Sequence, residues 1–384
     1  MVQVGEEFGT LRDSNVVPVL HFNDLYEVGG VKEGSRGGVQ RLARVVYGAR
    51  AANPRTLVMF AGDLLSPSLA SESFKGKQMI DVVNRLHIDA AVIGNHEFDF
   101  GAQVFQERLQ ESNFPWLNTN IMLKGDPNPG GLGTVRYMKK DVAFVGEKGV
   151  HSTTRICFFG VAYDLRQSVL DGYNTLDYTD KIQAASEAAK ELKSDTAGNR
   201  CKIVVALSHM FEAQDCDMSK QVPEIDLIIG GHDHSAMLLS QCGKATVVKG
   251  TSDLQDAWIT NLHLDDQGRL HHISANNFGL TDEDPADPRV ATLVAEWTAK
   301  LAGELKVVVG STTQPLNAVT KVPALLGWGR VTCFCLTRPA HDKVVRQEES
   351  NLGNFVADAM RSIYPNTTIA FTNGGGIRGE MFFS

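Results

Sequence analysis

The sequence predicts a layered α/β protein, and three observations predict it. Short apolar runs alternate with amphipathic helical patterns through the first two-thirds of the 384 residues. The runs end at polar, glycine-rich turns. Later runs follow one another across short turns, so a mixed sheet, or two packed sheets, is expected rather than a purely parallel one.

In chain order, buried strands are read over Val16–Phe22, Thr56–Phe60, Ala90–Ile93, Arg155–Val161, Lys202–Leu207 and Ile225–Ile229, each a short apolar run bounded by turn residues. Helices are read between them, over Val39–Ala51, Lys77–Leu86, Ala102–Ser112 and Asp180–Ser194. Ala245–Val248, Trp258–Leu264 and His271–Ser274 read as further strands. A helical pattern over Asp287–Val307 is followed by Val308–Pro315, which reads as a connection between domains.

The length suits one large domain plus something smaller, or two domains. A hydrophobic share of 43% with 21% charged residues fits a globular chain and excludes a mainly disordered or fibrous one. The 45 acidic residues outnumber the 37 basic ones, which leaves no footprint for a nucleic-acid polymer as partner. No stretch is long and apolar enough to span a bilayer. The N-terminus lacks a basic region followed by an apolar run, which points to the cytoplasm by default. A segment missing from the N-terminus would hide secretion. Six sparse cysteines, without paired Cys-x-x-Cys sets, read as buried free thiols.

In α/β folds ligands gather beyond the carboxyl ends of strands. Five such ends carry metal-ligating residue types: Asn23-Asp24-Leu25-Tyr26, Gly62-Asp63, Gly94-Asn95-His96-Glu97-Phe98-Asp99, Ser208-His209, and Gly230-Gly231-His232-Asp233-His234. Each alone has an ordinary explanation, since Asp caps helices and a lone His usually sits satisfied in a core or on a surface. Together, carboxylate, amide oxygen and imidazole suit a borderline divalent ion.

At these residues the sequence resembles the calcineurin-like metallophosphoesterases, and among them the 5′-nucleotidase group, for which Asn95-His-Glu-Phe-Asp99 is a specific string. The resemblance runs from about Val17 to Asn276 and resumes at Arg346. It implies a four-layer αββα catalytic domain over residues 1–286, a linker helix with an irregular segment over 287–345, and the truncated start of a second, substrate-binding α/β domain over 346–384. It also implies two divalent ions (Zn, Mn, Co or Fe), one held by Asp24, Asp63 and His234, the other by Asp63, Asn95, His209 and His232. His96, oriented by Asp99, would assist the leaving group. Arg346, Asn373 and Arg378 would meet the substrate, a nucleotide or other small phosphate ester. Glu97 reads as a solvated loop carboxylate.

Two features depart from that pattern. The family usually has a histidine two residues after the first aspartate, where this chain has Tyr26. A tyrosine there either coordinates as phenolate, best with a hard ion such as Fe(III), or points away, or marks a lost metal; a retained but weaker first site is the expectation. His21 is not a substitute, because strand alternation aims it away from Asp24. The segment 320–342, with Pro, Trp, Gly and Cys-Phe-Cys, has neither helix nor strand period and reads as intron-derived. Hydrolysis of nucleoside 5′-monophosphates is therefore the expected activity. Cyclic-nucleotide or nucleotide-sugar phosphodiesterase action and a nucleotide- or metal-binding pseudoenzyme are the alternatives. A dinucleotide-binding oxidoreductase is disfavoured, since no Gly-x-Gly-x-x-Gly follows the first strand.

Overall fold

The computed structural model describes residues 15–146, 149–169, 171–194, 200–304, 316–317 and 382–383. Its first compact unit runs to Glu304. The strands of that unit are β1 (Val16–Phe22), β2 (Leu57–Phe60), β3 (Ala90–Val92), β4 (Trp116–Leu117), β5 (Ile121–Leu123), β6 (Tyr137–Val145), β7 (His151–Ala162), β8 (Leu176–Tyr178), β9 (Ile203–His209), β10 (Leu227–Gly231), β11 (Met237–Leu239), β12 (Thr246–Lys249), β13 (Asp256–Leu264) and β14 (Leu270–Gly279). Its main helices are α1 (Val39–Ala52), α2 (Leu69–Phe74), α3 (Lys77–Asn84), α4 (Ala102–Glu111), α5 (Lys181–Ser194), α6 (Glu212–Gln221) and α7 (Pro288–Glu304).

The strands form two six-stranded sheets, ordered β14-β13-β1-β2-β3-β4 and β11-β12-β10-β9-β7-β6, while β5 and β8 pair as a small antiparallel ribbon. Both large sheets are mixed. Parallel pairing runs from β1 to β4 and through β7, β9, β10 and β12, and antiparallel strands close the edges.

Alternation of side chains along each strand explains the layering. Val17, Val19, Leu57 and Met59 face inward and form one core with Phe158, Val205, Leu207 and Ile229 of the other sheet. Their neighbours Leu20, Phe22, Val58 and Phe60 face outward into a second core with Val39, Leu42 and Val46 of α1 and Met79 and Val83 of α3. The order is helix, sheet, sheet, helix, as the αββα expectation has it. Full burial of one such Leu or Phe is worth roughly 1.5–3 kcal/mol.

Pattern reading missed the short strands β4, β5, β8 and β11, and also the long β6, an edge strand whose Lys139 and Asp141 face water. Charged edge residues block stray strand pairing and also dilute the apolar signal. Likewise α6 buries only Asp215, Met218 and Ser219, too little to show a stripe. Helix α7 packs within the first unit: Trp297 donates its indole N–H to Asp81 at 2.9 Å and lies tilted against Phe74, with ring centroids 5.1 Å apart. In the second unit, Leu316–Asn317 pairs antiparallel with Phe382–Phe383. The segment 320–342 and residues Arg346, Asn373 and Arg378 lie outside the described residues.

The cysteine expectation is corrected. Cys157 bonds to Cys201, and Cys216 to Cys242; Cys333 and Cys335 lie outside the described residues. Sequence separations of 44 and 26 residues carry no pairing signal, but the parallel register of β7 with β9 sets Cys157 opposite Val204 and so brings Cys201 near. The Cα atoms of that pair are 5.8 Å apart, within the ordinary range for a bridge.

Closing a loop of this length restricts the unfolded chain by about 3–4 kcal/mol. Replacing Cys157 and Cys201 together by Ala is predicted to lower the unfolding free energy by about that much in a urea titration. An unchanged midpoint would show that the bridge adds nothing beyond packed thiols.

Candidate metal centre

The five strand ends converge where the carboxyl edges of both sheets meet. Asp24 follows β1, Asp63 follows β2 and Asn95 follows β3, all from the first sheet; His209 ends β9, and His232 and His234 follow β10, from the second. Hydrogen bonds cross between the sheets at this point: the Asp24 carboxylate Oδ2 accepts from the backbone N–H of His232 at 2.8 Å, and Ala61 O accepts from His209 Nδ1 at 2.8 Å.

Backbone conformation delivers the side chains. Asp24, Asp63, His232 and His234 all have positive φ, between 50° and 82°, a region that non-glycine residues visit rarely and that clusters at functional sites. The glycines beside them are there for space. A Cβ on Gly94 would collide with Asp63 Oδ1, and one on Gly231 would stand 2.9 Å from Asp24 Oδ2.

Asp63, His209 and His232 place ligand atoms within 4.8 Å of one another, and theirs is the only such group of three His, Cys, Asp or Glu residues among the described residues. The donor chemistry fits a divalent ion. His209 Nδ1 bonds to Ala61 O, and its Nε2 lies 3.1 Å from Asp63 Oδ2; loss of the Nε2 proton would turn a lone pair to that side, as a metal ligand needs. Buried Asn95 Oδ1 has no hydrogen-bond partner, and buried polar atoms are rarely left so. Burial, then the charge of a protonated His209, lowers His232 to about 4, which keeps its ring neutral. Burial opposes charge on Asp63, yet His209 and His96 outweigh it and hold the carboxyl below its usual range.

The remaining predicted ligands bond to one another. His234 Nε2 lies 2.9 Å from Asp24 Oδ1. Tyr26 places its hydroxyl 3.0 Å from Asp24 Oδ1, 3.3 Å from Asp63 Oδ2 and 3.0 Å from His234 Nε2. Burial, then Asp24 and Asp63, raises this phenol well above its ordinary value. His21 is fully buried within the sheet, pushed down to about 3 by burial, and its Nε2 is 3.4 Å from Thr260 Oγ1.

Beside the ligands, Asp99 Oδ2 accepts from His96 Nδ1 at 2.7 Å, which turns Nε2 toward Asp63, 4.0 Å away. Burial opposes protonation of His96, but Asp63 and Asp99 raise its pKa.

Glu97 corrects the sequence reading. It is fully buried and accepts from the backbone N–H groups of Asp63, Leu64 and Gly94 at 3.2, 2.6 and 2.5 Å, so it clamps two ligand turns together. Burial, then Asp63, lifts its pKa to about 7. Its position in a short helical turn folds the side chain inward, which a polar string does not reveal.

Other supports went unread. Asn23 Nδ2 donates to Asp24 Oδ2 at 2.6 Å. Asp253 Oδ1 accepts from the N–H of Tyr26 and of Glu27 at 2.9 and 3.0 Å. Lys249, fully buried, donates to Asp215 Oδ2 at 2.7 Å, to Met210 O at 2.6 Å and to Asp233. Asp215 in turn accepts from Ser208 Oγ at 2.6 Å, so one ammonium ties both histidine turns. The available signal was a lysine ending the apolar run Thr246–Lys249.

Two facing mixed sheets with carboxylates, an amide and imidazoles at their shared edge define a metallophosphoesterase. Residues 17–236 match the family model for the calcineurin-like phosphoesterase, and residues 330–383 match that for the 5′-nucleotidase C-terminal domain. The chain belongs to the calcineurin-like phosphoesterase family. It is 25% identical to the 5′-nucleotidase of Bos taurus, over 90% of this chain and 59% of that protein. It is 24% identical to the snake venom 5′-nucleotidase of Naja atra, over 94% and 69% respectively. The chain thus spans about three-fifths of the length of its bovine relative. Among solved structures, the 5′-nucleotidase precursor of Thermus thermophilus superposes with a TM-score of 0.68 at 20% identity, over 91% of this chain and 67% of that one.

Removing the Lys249 charge would leave Asp215 and Asp233 uncompensated. Lys249→Met is predicted to cost about 3–5 kcal/mol of unfolding free energy, measured by urea denaturation. A loss under about 1 kcal/mol would mean the carboxylates find other partners.

Proposed function

We propose that this chain hydrolyses phosphate esters, nucleoside 5′-monophosphates first among them, with the help of a divalent ion. The observation that carries the reading is the convergence of Asp63, Asn95, His209 and His232 beside the His96–Asp99 pair. Bound among those four residues, Zn, Mn, Co or Fe would supply Lewis acidity toward a phosphoryl oxygen and a water.

The chain's own residues do the rest. His96 directly follows a ligand and holds a proton at Nε2 on the side of Asp63, where a leaving oxygen needs one. Asp99 fixes the ring and favours its charged form. Proton transfer from a positioned imidazole is worth about a hundred- to ten-thousand-fold. In the segment similar to the 5′-nucleotidase C-terminal domain, Arg346, Asn373 and Arg378 are assigned to substrate binding, since a guanidinium suits phosphate and an amide suits a polar base or sugar.

Nucleotides are favoured by the names of the relatives, two of which are 5′-nucleotidases. Diester hydrolysis is the second reading, supported by 24% identity to the trifunctional nucleotide phosphoesterase YfkN of Bacillus subtilis. No helix among the described residues is long and apolar enough to cross a membrane. The cytoplasmic default gives way to a proposed oxidising compartment, supported by the two disulfides.

The test is phosphate release from AMP and p-nitrophenyl phosphate by the purified full chain, reloaded with Mn, Zn, Co or Fe. Release is expected to depend on metal, and His96→Ala is expected to lower kcat by about 10²–10⁴ at unchanged metal content. Folded protein that releases nothing with any of the four ions would sink the hydrolase reading in favour of a binding protein.

A further inference from the structure

Resting on the metal-centre reading above, we infer that the Tyr26 hydroxyl takes the place of a second ion, so that this centre holds one metal, at Asp63, Asn95, His209 and His232. This replaces the expectation of a retained, weaker first site.

The argument starts from where the donors lie. An ion's protein ligands stand about 2.0–2.2 Å from it, so two ligands on opposite sides of one ion are about 4.2 Å apart. Asp63, His209 and His232 come close to that requirement, with all ligand atoms within 4.8 Å. Asp24 and His234 belong to no such group among the described residues. What lies among Asp24, Asp63 and His234 is the phenol oxygen, at 3.0, 3.3 and 3.0 Å. Those are hydrogen-bonding separations rather than coordination distances.

A hydroxyl can satisfy this set without a cation. It has one proton to donate and two lone pairs to accept with. Donation goes to a carboxylate, Asp24 Oδ1 being the nearer, and acceptance is from His234 Nε2–H. The His234 ring also reaches Asp24 Oδ1 at 2.9 Å, so these donor atoms already have partners. The neighbouring cluster differs: buried Asn95 Oδ1 has none.

The side chain is also held in place. Tyr26 is 4% exposed, so it has no free solvent rotamer to swing into. Its backbone N–H is fixed by Asp253, and its ring packs edge-on against His96 with centroids 5.7 Å apart. A histidine at this position would be shorter, and the space now filled by the phenol oxygen would be open to an ion.

The experiment counts metal on the full chain. Protein is loaded with excess Mn or Zn, desalted and measured by inductively coupled plasma mass spectrometry, beside Tyr26→His and Tyr26→Phe. One equivalent on the unaltered protein and two on Tyr26→His are expected. Two tightly held equivalents on the unaltered protein would overturn the inference. So would one equivalent on both proteins, since the hydroxyl would then not be what excludes the second ion. A visible charge-transfer band on iron loading, lost in Tyr26→Phe, would also overturn it, by showing phenolate ligation. If Tyr26→His does not fold, the count on the unaltered protein and the iron spectrum decide. Hydrolysis of p-nitrophenyl phosphate by the same preparation separates the two ideas. One bound ion without hydrolysis strikes the proposed function and leaves the count standing, whereas no bound ion strikes both.

Discussion

Two carboxylates buried side by side, Asp24 and Asp63, are the constraint on which the rest of this structure turns. Each is at most 1% exposed, and a buried charge without compensation is costly. Compensation needs donors from both sheets. Asp24 takes bonds from Asn23 of its own strand end and from the His232 backbone across the interface, while Asp63 takes one from the His96 backbone and lies against His209. The inter-sheet core of Val19, Met59, Val205 and Ile229 therefore does more than supply apolar burial. It holds two strand edges in a register where opposite partners can meet.

The layers supporting the ligands are as polar as the ligands. Glu97 ties the Asp63 turn to the Gly94 turn, Asp253 holds the stretch around Tyr26, and Lys249 with Asp215 and Asp233 joins the two histidine turns. Partly satisfied networks of this kind are costly and fully satisfied ones are rigid. The ligand turns consequently owe their shape to side chains distant in sequence, such as Lys249 acting on Asp233 and Asp253 acting on Tyr26.

That distance explains what could and could not be read beforehand. Strands β1, β2, β9 and β10 and their terminal Asp, Asn and His residues were legible because apolar runs and the residues that end them are local signals. The layered architecture followed from the same pattern. The supports were not legible, since nothing near Lys249 announces Asp215 or Asp233, and nothing near Cys157 announces Cys201. Glu97 was misread for a related reason: whether a carboxylate in a loop faces water or three amide groups depends on which turns are packed above it. Edge strand β6 and helix α6 were missed because charged faces outnumber their buried ones.

The left-handed backbone at Asp24, Asp63, His232 and His234 also limits how this centre can drift over evolutionary time. At such angles few side chains are tolerated, with Asn, Asp and Gly the least strained, so most single substitutions there disturb the turn as well as the chemistry. Tyr26 is free of that restriction, since its φ is not positive. A lineage can exchange the residue at this position without meeting that backbone restriction. Variation in how such centres are charged should therefore accumulate there, at the second residue after the first aspartate, before it touches any of the strained ligands.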